Sequence, residues 1–147
     1  MDGTLGYPVF ARYVVAVDNE KSKLTFHNPK TFVYSGRGDR IPLTTEGKVP
    51  CITGKLKVYG QPEVERSFII DTGLARTTVG DDLIAKSSSR KLEISTGVGL
   101  GKEKKGVASR VEKLQLGSFK IEKAHGKTAR WSAIGGGILS RFNMVFD

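Results

Sequence analysis

Phe68-Ile69-Ile70-Asp71-Thr72-Gly73 is the stretch that decides how this chain folds and what it can do. Three apolar residues read as a buried strand, and the strand stops on a carboxylate followed by threonine and glycine. A carboxylate carried to the end of a buried strand, beside a glycine that lets backbone approach closely, is suited to chemistry. As a bare tripeptide, Asp-Thr-Gly also serves as an ordinary turn. Its meaning therefore depends on its surroundings.

Upstream, Ile52, Gly54, Leu56 and Val58 share one parity while Cys51, Lys55 and Lys57 share the other, the period of two expected of a half-buried strand. Tyr59-Gly60-Gln61-Pro62 turns the chain back into Ser67–Ile70, so a hairpin delivers Asp71. Thr77, Thr78 and Val79 follow the Asp-Thr-Gly turn. Gly80–Lys86 carries Asp81 and Asp82 at its start and Lys86 at its end, which predicts one or two helical turns well placed in the helix dipole, with Ser87-Ser88-Ser89-Arg90 stopping them. Leu92 and Ile94 lead into a glycine-rich hairpin tip, Gly97-Val98-Gly99-Leu100-Gly101, and Val107, Val111, Leu114 and Leu116 lead away from it. Gly117 turns the chain, and Phe119 and Ile121 form a further strand. No heptad or long 3.6-residue period appears, so the fold is predicted to be mainly β with one or two short helices.

Residues 14–26 read as a hairpin turning at Asn19-Glu20-Lys21-Ser22. Residues 28–50, with Pro29, Gly36, Gly38, Pro42, Gly47 and Pro50, read as loop and linker with an edge-strand piece at Thr31–Tyr34. The opening residues 3–18 echo the end of the chain at a shift of 129 positions: Leu5-Gly6 falls on Ile134-Gly135, Val9-Phe10 on Ile138-Leu139, Arg12-Tyr13 on Arg141-Phe142 and Val17-Asp18 on Phe146-Asp147. This is an internal repeat of an end piece, with chance likeness of two short apolar stretches as the plain alternative.

Three features stand in a fixed order: Asp71-Thr72-Gly73, the glycine-rich hairpin 97–101, and Ala133-Ile134-Gly135-Gly136-Gly137-Ile138-Leu139-Ser140-Arg141-Phe142. Together they resemble the retropepsin-like aspartic protease family, with its catalytic Asp-Thr-Gly, its flap and the apolar-apolar-Gly segment packed beside the catalytic loop. The bacterial single-lobe branch is the most similar. The resemblance covers most of residues 50–147 and implies a pepsin- or retropepsin-like closed β-barrel lobe there. Residues 1–49 then resemble strands and linker from the tail of a preceding lobe. Two accounts of that tail stay open: the chain is the second lobe of a longer bilobed protein, or the extra copy is native and caps the sheet of a single-lobe protomer.

The resemblance implies an aspartic endopeptidase whose catalytic carboxylate is Asp71. Thr72 and Gly73 would support the catalytic loop, and Gly97, Val98 and Gly99 would form the flap that closes over an extended peptide. One carboxylate is insufficient, because the chemistry needs one ionised and one protonated acid sharing a proton. The second must come from another lobe, which a two-fold homodimer would supply. Leu74, Ala75 and Arg76 follow the catalytic glycine where the family usually has small or polar residues. Leu74 brings no hydroxyl, and Arg76 near a cleft would favour ionised carboxylates.

The 147 residues and net charge of +9 fit one domain. A single cysteine, Cys51, excludes an internal disulfide, and two histidines, His27 and His125, do not suggest a zinc cluster, so neither metal nor cofactor is expected. No apolar run approaches the ~18 residues of a membrane span, and the N-terminus has no signal-peptide pattern. The chain as given is expected to be soluble, in an unknown compartment; removal of an upstream signal would make it exported or periplasmic. Residues 102–130 hold nine Lys and Arg against three Glu, alternating with apolar residues as an exposed sheet face would. That basic surface favours acidic peptide substrates. No nucleic-acid motif accompanies it, so no specific nucleic-acid partner is expected. The rival reading is a non-catalytic module kept for dimerisation or peptide binding, or the isolated C-terminal half of a bilobed aspartic protease.

Overall fold

A computed structural model describes residues 5–74, 79–99, 102–122 and 124–147, with backbone alone at 96–99 and 102–104. The fold is mainly β, 49% strand against 10% helix. Elements are numbered along the chain, which divides into two compact units: residues 1–38 with 140–147, and residues 39–139.

The first unit holds a short helix α1 (Tyr7–Phe10) and the antiparallel sheet β12-β1-β2, with β1 at Val14–Asp18, β2 at Lys23–His27 and β12 at Met144–Phe146. Pro8 sits in the first turn of α1, where its missing N–H costs nothing. Ser22 takes a left-handed φ of 52° in the turn between β1 and β2. Val14 and Val15 are buried, and the unit holds two edge-on ring pairs, Phe10 with Phe146 and Tyr13 with Phe26. The strand expected at Thr31–Tyr34 does not form. Thr31 and Phe32 instead donate their backbone N–H groups to the Asn28 carbonyl, closing a turn around Pro29 that stacks Phe32 against His27.

The second unit runs β3 (Leu43–Glu46), β4 (Val49–Val58), β5 (Val64–Asp71), β6 (Val79–Gly80), a 3₁₀ helix (Asp82–Lys86), β7 (Leu92–Gly99), β8 (Lys102–Leu116), β9 (Phe119–Glu122), β10 (His125–Lys127), β11 (Ala133–Gly135) and α2 (Gly136–Leu139). Strand β3 falls inside the expected linker, where Thr44 and Thr45 pair with Cys51 and Pro50. Alternation along β4 is as read: Ile52, Gly54, Leu56 and Val58 are buried, while Thr53 and Lys55 face water. Cys51 is buried too, because β3 and β5 flank it.

Strand β8 is long enough to pair with β7 near its start, β10 in its middle and both β4 and β9 near its end. Pairings therefore run β4–β5–β11–β6–β10–β8 and return to β4. An irregularity at Lys57/Val58, where Glu112 is the extra residue opposite, lets β8 bend as it passes from one set of neighbours to the next. Inside this circuit Leu56, Val58, Phe68, Val79, Ile84, Val111, Leu114, Ile134 and Ile138 are fully buried. Gly54 and Gly126 are part of the packing: a Cβ on Gly54 would meet the Gln115 carbonyl at 2.8 Å, and one on Gly126 would meet Ile84 at 2.6 Å. The expected α-helical turns at 80–86 are a 3₁₀ helix starting at Asp82, since Gly80 is drawn into β6 between β10 and β11.

No helix among the described residues is long and apolar enough to cross a membrane.

Candidate functional site

Parallel pairing of β5 and β11 builds the site. Ala133 lies opposite Ile69, Ile134 opposite Ile70 and Gly135 opposite Asp71, so the last residue of each strand ends at one level. Asp71 is half-buried there, while Thr72 and Gly73 are exposed. The Asp71 carboxylate accepts a hydrogen bond from the Gly73 N–H (3.0 Å), the local bond of an Asx turn. Leu74 N–H donates to the Asp71 carbonyl (3.2 Å), and Gly136 N–H donates to the Leu74 carbonyl (3.2 Å). The loop is thereby tied to the start of α2. A Cβ on Gly136 would lie 3.3 Å from the Thr72 carbonyl, so glycine allows the close approach.

One side of the Asp71 carboxylate holds its own loop, and a carboxylate has roughly four lone-pair sites to offer. Among the described residues, Asp71 thus keeps capacity for a partner or a water. Of the other expected residues, Gly97, Val98 and Gly99 occupy the end of β7 and pair with Lys104, Glu103 and Lys102 across a hairpin. The sheet links that hairpin to β11 through β6, β10 and β8 on one side and through β5, β4 and β8 on the other. Its tip, Leu100 and Gly101, and the residues Ala75, Arg76, Thr77 and Thr78 beyond the Asp-Thr-Gly loop lie outside the described residues. Among the described residues no group of three or more His, Cys, Asp and Glu side chains is placed to hold a metal ion.

A second carboxylate, Asp81, supports the site from behind and is absent from the sequence reading of functional residues. It is 0% exposed. Its Oδ1 accepts from Leu83 N–H (2.7 Å), capping the 3₁₀ helix, and its Oδ2 accepts from Ser132 Oγ and from Arg66 Nε (3.3 Å). Arg66 is on β5, and Ser132 immediately precedes β11. Ser132 also gives its carbonyl to Ile69 N–H (2.9 Å). The two strands that bring Asp71 and Gly135 together are therefore pinned at their other end by one buried carboxylate. A burial of this kind is tolerable only because the charge is hydrogen-bonded on both oxygens. The one signal in the sequence is an Asp opening a helical segment, which marks a cap but not the partners 15 and 51 residues away.

Comparison with protein-family models, with curated proteins and with solved structures yields no match. Chemistry therefore has to be read from the geometry.

Proposed function

We infer that this chain is a retropepsin-like aspartic endopeptidase domain, in which a water activated by two Asp71 carboxylates, one per lobe of a dimer, hydrolyses peptide bonds. The carrying observation is the parallel β5–β11 pair, which ends in Asp71 beside Gly135 and ties the Asp-Thr-Gly loop to Gly136. The closed circuit of strand pairings through β4, β5, β11, β6, β10 and β8 supports the reading of a β-barrel lobe within residues 50–147, and the β7–β8 hairpin supports a flap built on Gly97, Val98 and Gly99.

In this mechanism one carboxylate is ionised and takes a proton from water while the other, protonated, donates to the substrate carbonyl. The hydroxide equivalent adds to the carbonyl carbon. Collapse of the tetrahedral intermediate breaks the C–N bond as the amine leaves with a proton. Like charges roughly 3 Å apart cannot both ionise, so the two acids share one proton. Thr72 and Gly73 hold the loop, and the edge of β7 away from β8, unpaired among the described residues, suits an extended peptide paired through its backbone. The excess of lysine and arginine favours acidic peptides.

Leu74 favours a second reading. Its backbone N–H and carbonyl are both spent on the loop and its side chain carries no hydroxyl to support a carboxylate, as suits a catalytically inactive dimerisation or peptide-binding module. The deciding experiment incubates folded protein with a mixed peptide library from pH 3 to 8. Cleavage that disappears in Asp71→Asn supports the peptidase; a folded wild-type chain that cleaves nothing at any pH leaves the module.

A further inference from the structure

The 129-residue echo between the two ends of the chain is also an echo in structure. Shifted by that amount, α1 (Tyr7–Phe10) falls on α2 (Gly136–Leu139), and β1 (Val14–Asp18) falls across β12 (Met144–Phe146). The two strands then pair with each other. Val15 lies opposite Phe146, Ala16 opposite Val145 and Val17 opposite Met144. Under the repeat, Val15 corresponds to Met144, Ala16 to Val145 and Val17 to Phe146. Each residue thus pairs with the counterpart of its mirror position, and Ala16 pairs with its own counterpart, Val145. The strand pair has a local two-fold axis through Ala16 and Val145, the symmetry of two identical strands meeting at an isologous interface.

We propose that residues 5–18 are a built-in substitute for the closing segment of a second copy: β1 fills the edge of β12 that the β12 strand of another chain would fill, and so caps this surface against self-pairing. The claim rests on the repeat and the register, not on the peptidase reading. Only its consequence uses that reading, namely that a second Asp71 arrives through another contact or after β1 has left.

Magnitudes favour the internal copy. A strand supplied by the same chain acts at an effective concentration on the order of 1 mM, so at micromolar protein it outcompetes an equal strand from another molecule by about 1000-fold. Its contacts are also better than those of a second β12. Phe10 meets Phe146 edge-on at 5.5 Å, whereas the counterpart of Phe10 is Leu139. Asn19 adds a hydrogen bond from its N–H to Asn143 Oδ1 (2.8 Å) and one from its side chain to the Phe142 carbonyl (2.5 Å).

Thiol cross-linking of the full chain tests this. Antiparallel partners have Cα atoms about 4.5–5.5 Å apart, within disulfide reach. The double variant Ala16→Cys/Val145→Cys is expected to oxidise to a monomer with an intrachain 16–145 bond identified by peptide mapping. Val145→Cys alone is expected to give less than a tenth as much 145–145 cross-linked dimer at micromolar concentration. Adding Ala16→Pro, which removes a ladder N–H from β1, is expected to raise that dimer yield at least tenfold, in proportion to protein concentration. Efficient 145–145 linkage in the chain with β1 intact, or a double variant that links only between molecules, would overturn the proposal. Because the Cys readings use an undisturbed β1, they decide the matter even if Ala16→Pro fails to fold.

Discussion

Asp71 and Asp81 are ten residues apart and belong to opposite ends of the same strand pair. Asp81 is sealed from water and spends both oxygens on Leu83, Arg66 and Ser132, three donors from three parts of the unit. Asp71 stands half-exposed and, among the described residues, accepts one hydrogen bond, from its own loop. The contrast separates two uses of a carboxylate. A fully satisfied buried acid fixes geometry, whereas one with lone pairs to spare can accept a proton. In this unit the first holds the strands that present the second.

The largest effect on stability is expected at Asp81. Asp81→Ala leaves the buried Leu83 N–H and the Ser132 hydroxyl without their acceptor and Arg66 with its longer contact to Asp82 (3.8 Å), and should cost about 2–4 kcal/mol in urea unfolding. Asp71→Asn keeps an acceptor in its turn and should change stability by less than about 0.5 kcal/mol while removing peptide cleavage. Comparable losses at both positions would erase the distinction.

Glycines sharpen it next. Gly126 faces Ile84, in the helix that Asp81 caps, and Gly126→Ala drives a methyl to 2.6 Å from Ile84 and 3.0 Å from Val111. Overpacking should cost roughly 1–3 kcal/mol, read from the same unfolding curves. Gly136→Ala, on the Asp71 side, brings its methyl only to 3.3 Å from the Thr72 carbonyl, so overpacking should cost less, about 1 kcal/mol. Its clearer signature should be lost cleavage, since Thr72 must shift to make room. Ser132→Ala breaks the link from Asp81 to β11 and should cost about 1 kcal/mol, with Ser132→Thr restoring it.

The smallest effect is expected at Glu63, which immediately precedes β5 at the end of the strand away from Asp71. A hydrogen bond from Lys113 (2.5 Å) lowers its pKa, burial opposes this, and the charges of Lys113, Lys55 and Lys57 add to the lowering. A carboxylate held lower in the folded state stabilises fully above its unfolded pKa of about 4.5 and loses that contribution as pH falls through the folded value. Glu63→Gln should therefore match the wild type at the acid end and fall slightly below it at neutral pH. High salt should remove the difference in urea midpoint, because the pair is partly exposed.

How much was legible in the sequence follows from range. Period-two patterning located β4 and the approach to Asp71, because side-chain alternation is local and one face of that hairpin is buried. Thr31–Tyr34 looked extended by composition, yet one carbonyl at Asn28 captured two N–H groups and made a turn. Thr44 and Thr45 were hidden among prolines and glycines and became a strand only because β4 offered an edge. Gly80 left the helix for the same reason, taken by neighbours on both sides. At the site, the Asp-Thr-Gly motif marked Asp71, and the segment 133–142 marked its neighbour Gly135. The Arg66–Asp81–Ser132 support had no motif, since its members meet only after the strands pair.

Twin carboxylates are the core of the functional reading, and mixing tests them directly. Wild-type chains are combined in varying proportion with Asp71→Asn chains at constant total concentration, allowed to exchange, and assayed for peptide cleavage. If each active unit draws one Asp71 from each of two chains, the rate should follow the square of the wild-type fraction, a quarter of full activity at an equal mixture. A rate linear in that fraction would show that a single Asp71 suffices and would contradict the pairing.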